Sequence, residues 1–120
     1  MGTAKYFEEL KISQDARKLV KEIYSHTREI KDYGYNDQLQ RAAISIMNNI
    51  AESAESGSDV MFKKFLQIAR GSCGEVRNMI YIGMDLNYIQ QETASQMIVE
   101  CKCISSAIFN LIKYLNKPKS

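Results

Sequence analysis

The chain is poor in whatever breaks a helix and in whatever performs chemistry. One proline, at position 118, and six glycines among 120 residues leave long stretches in which nothing opposes helix formation. There is one histidine, His26, and three cysteines. Cys101 and Cys103 sit two residues apart, so on a helix they point about 200° away from each other. A zinc centre of Cys and His alone is therefore not expected. A carboxylate site in a bundle core would want Glu-x-x-His, but Ile23 precedes His26 by three and Glu29 follows it, the reverse order. His26 has no Ser or Cys placed as a nucleophile, and no glycine-rich loop is present to hold phosphate. The residues thus predict no catalytic group, no metal and no cofactor.

Other absences bound where the chain acts. No window reaches the roughly 18 apolar residues a membrane span requires. The start, MGTAKYFEELKI, carries acidic residues and no apolar run, so a secretory signal is not expected, and Tyr6 stands where a myristoylation motif needs Ser or Thr. An odd number of cysteines without an export signal reads as reduced thiols in a cytoplasm. The net charge of +2 permits contact with nucleic acid without announcing it.

What is present is apolar periodicity near 3.6 residues. Ala16, Leu19, Val20, Ile23, Tyr24, Thr27 and Ile30 make one inward stripe. Leu39, Ala42, Ala43, Ile46 and Ile50 make a second. A third runs through Phe62, Phe65, Leu66, Ala69, Cys73, Val76, Ile80 and Met84, and a fourth through Met97, Cys101, Ile104, Ile108, Leu111, Ile112 and Leu115. Residues 1–12 read as an extension laying a few apolar side chains on the body. Helices are expected over about 13–31, 36–55, 59–86 and 91–115, with 116–120 a frayed tail. Ser13 would cap the first helix, Asn36 or Asp37 the second, and Ser58 or Asp59 the third, with Gly34 free to take a left-handed angle in the first turn. Four amphipathic helices with short connections predict an all-α, single-domain, up-down-up-down antiparallel four-helix bundle.

Two polar rows stand out. On the second helix Arg41, Ser45, Asn48 and Glu52 lie away from the apolar stripe, with Asn49 at its rim. Ser and Asn are weak choices for a helix interior, so this row reads as a seam to the third helix, with Arg70 or Ser72 as partners for Asn49. On the third helix Lys63, Arg70 and Arg77 recur every seven residues, with Gln67 and Gly74 alongside. They can flank the core edge, pair with carboxylates such as Glu52, contact phosphate, or form an oligomer contact. Arg41 on the second helix and Arg17, Lys21 and Arg28 on the first are further phosphate or interface candidates. Gly71 and Gly74 fall in mid-helix at about 1 kcal/mol each relative to Ala, which implies close approach of another helix, in this chain or a second subunit.

Three segments, QLQRAAISIMNNIAES, FKKFLQIARGSCGEV and LNYIQQE, resemble the 23S ribosomal RNA intervening-sequence proteins, a family that includes the accessory variability determinant of diversity-generating retroelements. The family pattern runs close to Q-L-x-R-A-x-x-S-I-x-x-N-I-A-E-G, then F-L-x-x-A-x-G-S-x-x-E, then L-x-Y. Gln38, Leu39, Arg41, Ala42, Ser45, Ile46, Asn49, Ile50, Ala51 and Glu52 fit the first block. Phe65, Leu66, Ala69, Gly71, Ser72 and Glu75 fit the second, and Leu86 and Tyr88 the third. Three features depart: Met47-Asn48 where a proline is common, Ser53 in place of glycine, and Ile30-Lys31-Asp32 in place of a Phe-Pro turn. The resemblance implies a homo-oligomeric ring of bundles, commonly a pentamer, with no known enzymatic activity. For the retroelement branch it implies RNA or DNA and a reverse transcriptase as partners. By the same pattern, Gln38, Ser45, Asn49, Glu52, Gly71, Ser72 and Glu75 form the seam between helices two and three.

Overall fold

The structure, a computed structural model, describes residues 3–116, with side chains from Leu10 onward. The expectations for Tyr6, Phe7 and the tail beyond Asn116 lie outside the described residues. Four helices follow in order: α1 (Thr3–Thr27), α2 (Tyr33–Glu55), α3 (Asp59–Asp85) and α4 (Gln91–Leu115). No strand occurs among the described residues. Each helix packs on its neighbour in sequence and α4 closes back on α1, with α1–α3 and α2–α4 the diagonal pairs across the core. Hydrogen bonds from α2 to α3 join Ser45 to Ser72 and Tyr35 to Met79, and those from α3 to α4 join Lys63 to Asn116 and Arg70 to Ser105. In both pairs rising numbers on one helix meet falling numbers on the next, so neighbours are antiparallel. This is the expected all-α four-helix bundle.

The four stripes meet in one core. Ile12, Leu19, Ile23, Leu39, Ile46, Phe62, Leu66, Ile80, Met97, Ile104 and Ile108 are essentially without solvent contact. Each large aliphatic or aromatic side chain so placed contributes about 1.5–3 kcal/mol relative to exposure. Phe65 and Met84, expected inside, are half-buried, and Tyr24 is exposed. Ser72 and Gly83 occupy buried positions on α3 instead.

The two ends of α1 differ from expectation. Residues 3–12 continue the helix rather than forming an extension, and Ser13 is interior rather than a cap. A serine costs only about half a kcal/mol inside a helix, and no Gly or Pro lies between Thr3 and Thr27 to stop it. At the other end α1 stops at Thr27. The Thr27 hydroxyl donates to the Ile23 carbonyl, and the buried Asn36 amide donates to the carbonyls of Thr27 and Ile30, holding the freed chain end.

Asn36 therefore serves α1, and α2 is capped four residues earlier. The Asp32 carboxylate accepts the Tyr35 backbone N–H at 3.0 Å. Gly34 sits in the first turn of α2; the positive angles belong to Gly57 at φ 77° and Asn87 at φ 61°. Ser53, standing where the family pattern has glycine, is buried and donates to Ile50 at 2.6 Å, and α2 continues to Glu55. Ser58 caps α3 by accepting from Met61. Asn87 ends α3, and the Tyr88 and Ile89 N–H groups both turn back to the Gly83 carbonyl.

That last turn locks onto the first. The Tyr88 hydroxyl donates to Asp32 at 2.8 Å, and its ring stands edge-on to Tyr35 at 5.1 Å. The Tyr35 hydroxyl donates to the Met79 carbonyl at 2.5 Å over Gly83, where any added Cβ would overlap it. The Tyr35 N–H and the Tyr88 hydroxyl hold the Asp32 carboxyl below its usual range, while burial pushes the Tyr35 phenol up to about 12.

Candidate nucleic-acid interface

The two polar rows separate onto different flanks of α3. Toward α2 the contact is a hydrogen-bonded seam. Ser45 Oγ and Ser72 Oγ lie 2.8 Å apart, Ser72 also donates to the Ile68 carbonyl, and the Asn49 amide donates to both the carbonyl and the hydroxyl of Ser45. Next to it lies a groove of about 360 Å³ with Gln38, Arg41, Ser45, Glu75, Asn78 and Met79 among its walls. Arg41 is paired on its own helix, its Nε donating to Asp37 at 2.8 Å with both side chains largely exposed. Ser45, Ser72, Asn49, Gln38 and Glu75 are thus brought together. Glu52 and Gly71 are exposed and stand outside this network.

Arg70 does not join that seam. It is two residues from Ser72 and so projects about 200° away, toward α4. Lys63 and Arg77 share its heptad row, and neither they nor Arg70 pairs with Glu52. Lys63 Nζ donates to Asn116 Oδ1 at 2.7 Å, and Arg70 Nε donates to Ser105 Oγ at 3.1 Å. The Arg70 guanidinium also sits 4.7 Å above the centre of the Phe109 ring, and Lys113 Nζ lies 5.7 Å from the same ring. Arg77 is half-buried beside Cys73, and its Nε is enclosed without a hydrogen-bond partner. Among the described residues no carboxylate lies within ion-pair distance of Lys63, Arg70, Arg77 or Lys113. The partners of Lys63, Arg70 and Lys113 are a neutral amide, a hydroxyl and a ring, and Arg77 is half-buried beside them.

The α4 half of this face escaped the sequence reading. Lys102, Ser105, Phe109, Lys113 and Asn116 are spaced by three or four residues and fall on one side of α4. That spacing, beside the Cys101–Ile104–Ile108–Ile112 stripe, is the signal that could have found them.

Arg17, Lys21 and Arg28 are exposed, but α1 is diagonal to α3, so these three stand apart from the Lys63–Arg70–Arg77 row. Neither mid-helix glycine accommodates a neighbour within the chain: a Cβ at Gly71 or Gly74 would meet nothing within 4 Å. The expectation of a close helix in this chain is thereby corrected.

The remaining reactive side chains are dispersed. Burial pushes the thiols of Cys73 and Cys101 up to about 12, which keeps them protonated, and Cys103 is exposed on the opposite side of its helix. No group of three or more His, Cys, Asp or Glu side chains is arranged for a metal among the described residues. No helix among them is long and apolar enough to cross a membrane. Between α1 and α4, Glu100 is raised to about 7, first by burial and then by Glu22, while Lys18 opposes the shift at 3.7 Å.

The fold and this face define a class: a small antiparallel helical bundle with a hydrogen-bonded seam between α2 and α3 and a basic face between α3 and α4. Within that class the chain belongs to the 23S rRNA-intervening sequence protein family, whose model matches residues 8–110. Among solved structures it is similar to a protein of unknown function from the S23 ribosomal protein family of Bacteroides thetaiotaomicron. The two share 18% identity over 88% of this chain and 98% of that one, with a TM-score of 0.81, a likeness of fold. No curated protein matches. Neither the family nor that neighbour carries an enzymatic description.

Proposed function

We propose that the chain is a non-enzymatic, ring-forming accessory protein of nucleic acid or of a ribonucleoprotein, acting in the cytoplasm. One observation supports the binding half of this reading: the α3–α4 face presents Lys63, Arg70, Arg77 and Lys113 with no ion-paired carboxylate among the described residues. Each cation that neutralises a phosphate releases counterions condensed on the nucleic acid, and a cation facing no carboxylate has no internal partner to give up first. The proposed partners are other copies of this chain and RNA or DNA. An electrophoretic titration tests it. Binding is expected at low salt and should weaken steeply as salt is raised. An intact oligomer that binds neither RNA nor DNA at low salt would overturn it.

A second reading, a protein-interaction module without nucleic acid, is favoured by the open space over Gly71 and Gly74, where a second subunit could approach. Arg70→Glu separates the two. Loss of nucleic-acid binding with the oligomer retained on a sizing column supports the first reading. Dissociation to monomers supports the second.

A further inference from the structure

The basic face also carries exposed aromatic surface, and this narrows the kind of nucleic acid it suits. We infer that the α3–α4 face takes single-stranded rather than duplex nucleic acid, with the Arg70–Phe109 pair as a stacking platform for an unpaired base. The inference rests on the nucleic-acid reading above.

Three features of the face support a single strand. Phe109 remains 43% exposed although Arg70 lies over its ring. Tyr81, 49% exposed, stands on the Arg70 side of α3, eleven residues further along the helix. Exposed rings and stacked guanidinium planes are what unpaired bases bind, and a duplex keeps its base faces hidden. Second, Lys63, Arg70 and Arg77 lie in a straight line about 21 Å long at 1.5 Å per residue. An extended strand can follow that line, whereas the phosphates of a duplex wind away from it. Third, the groups beside the cations are neutral and hydrogen-bonding, Ser105 and Asn116 among them, which suits base edges of any sequence.

Fluorescence anisotropy of the full chain tests this, with an oligouridine RNA and an oligothymidine DNA of about 20 nucleotides and a duplex of equal length. The single strands should bind about 10-fold or more tightly than the duplex. Phe109→Leu, which keeps an apolar side chain but removes the π face, should cost the single strands about 10-fold and leave the duplex unchanged, and Phe109→Trp should restore binding. Photocrosslinking bromouridine RNA to the unaltered protein gives a readout independent of any variant's folding, with adducts expected within residues 102–113. Equal affinity for duplex, an unchanged Phe109→Leu affinity, or adducts confined to α1 and α2 would overturn the inference. Binding to none of the three probes would instead remove the nucleic-acid reading beneath it.

Discussion

Helix α4 meets α1 and α3 along two seams of opposite surplus charge. Toward α1, one lysine, Lys18, serves two carboxylates, at 3.8 Å from Glu22 and 3.7 Å from Glu100. One Glu100 oxygen is enclosed without a partner, and its carboxyl is lifted to about 7. Toward α3, Lys63, Arg70 and Lys113 meet a neutral amide, a hydroxyl and a ring, and among the described residues no carboxylate pairs with them or with Arg77. A chain of net charge +2 thus holds a local basic face, while four of its 14 acids pair with Arg41, Lys11 and Lys18. Net charge averages over the surface, and the partner sees the local arrangement.

The largest expected effect breaks the basic side. Reversing both Arg70 and Arg77 to Glu should lower nucleic-acid affinity by about 100-fold or more at low salt, while Arg41→Glu, which removes a cation already paired with Asp37, should change it less than about threefold. Electrophoretic titration of the three proteins reads the difference. Next in size is a change that spares the charges and attacks the frame. Gly83→Ala forces a methyl onto the Tyr35 hydroxyl and should destabilise the bundle by about 1–3 kcal/mol in a denaturant melt.

The acidic side is sharpened by pH. The folded protein holds the Glu100 proton more tightly than the unfolded chain does. The stability this contributes is complete below the ordinary carboxylate value of about 4.5 and is lost as pH rises through about 7. Glu100→Gln keeps the neutral form, so thermal melts should show stabilisation on the order of 1 kcal/mol above pH 7, allowing for partial exposure, and little change at pH 4.5. The smallest effect concerns the outer surface of α3. Gly71→Ala should raise stability by up to about 1 kcal/mol where that surface is free, and should instead weaken the oligomer where a second copy packs there.

The bundle was legible because four apolar stripes of helical period leave few other arrangements for a chain of this size. The helix ends were less so. Ser13 carries a capping hydroxyl, but nothing local distinguishes a cap from an interior serine. Asn36 shares the phase of Leu39, Ala43, Ile46 and Ile50, which marks it as inward, yet its chemistry suggested a cap of its own helix. Ser45, Asn49 and Ser72 were legible as members of the α2–α3 seam but not in their pairing: Asn49 bonds Ser45 rather than Arg70 or Ser72, and Ser72 meets Ser45. The row of Lys63, Arg70 and Arg77 was legible as a row but not by its neighbour, since periodicity fixes a residue's phase on its helix and not the order of helices around the bundle. Phe109 was hidden because an aromatic in an apolar-rich helix resembles core until its neighbours are in place.

The central claim is that unpaired cations between α3 and α4, and not cations in general, bind phosphate. The most direct test is the slope of log affinity against log salt for a single-stranded oligonucleotide. Replacing Lys63 and Arg70 with Gln should make that slope shallower by about 0.7 per residue, and replacing Arg41 should leave it unchanged. An unchanged slope in the Lys63–Arg70 variant, or an equal loss from Arg41→Gln, would contradict the account.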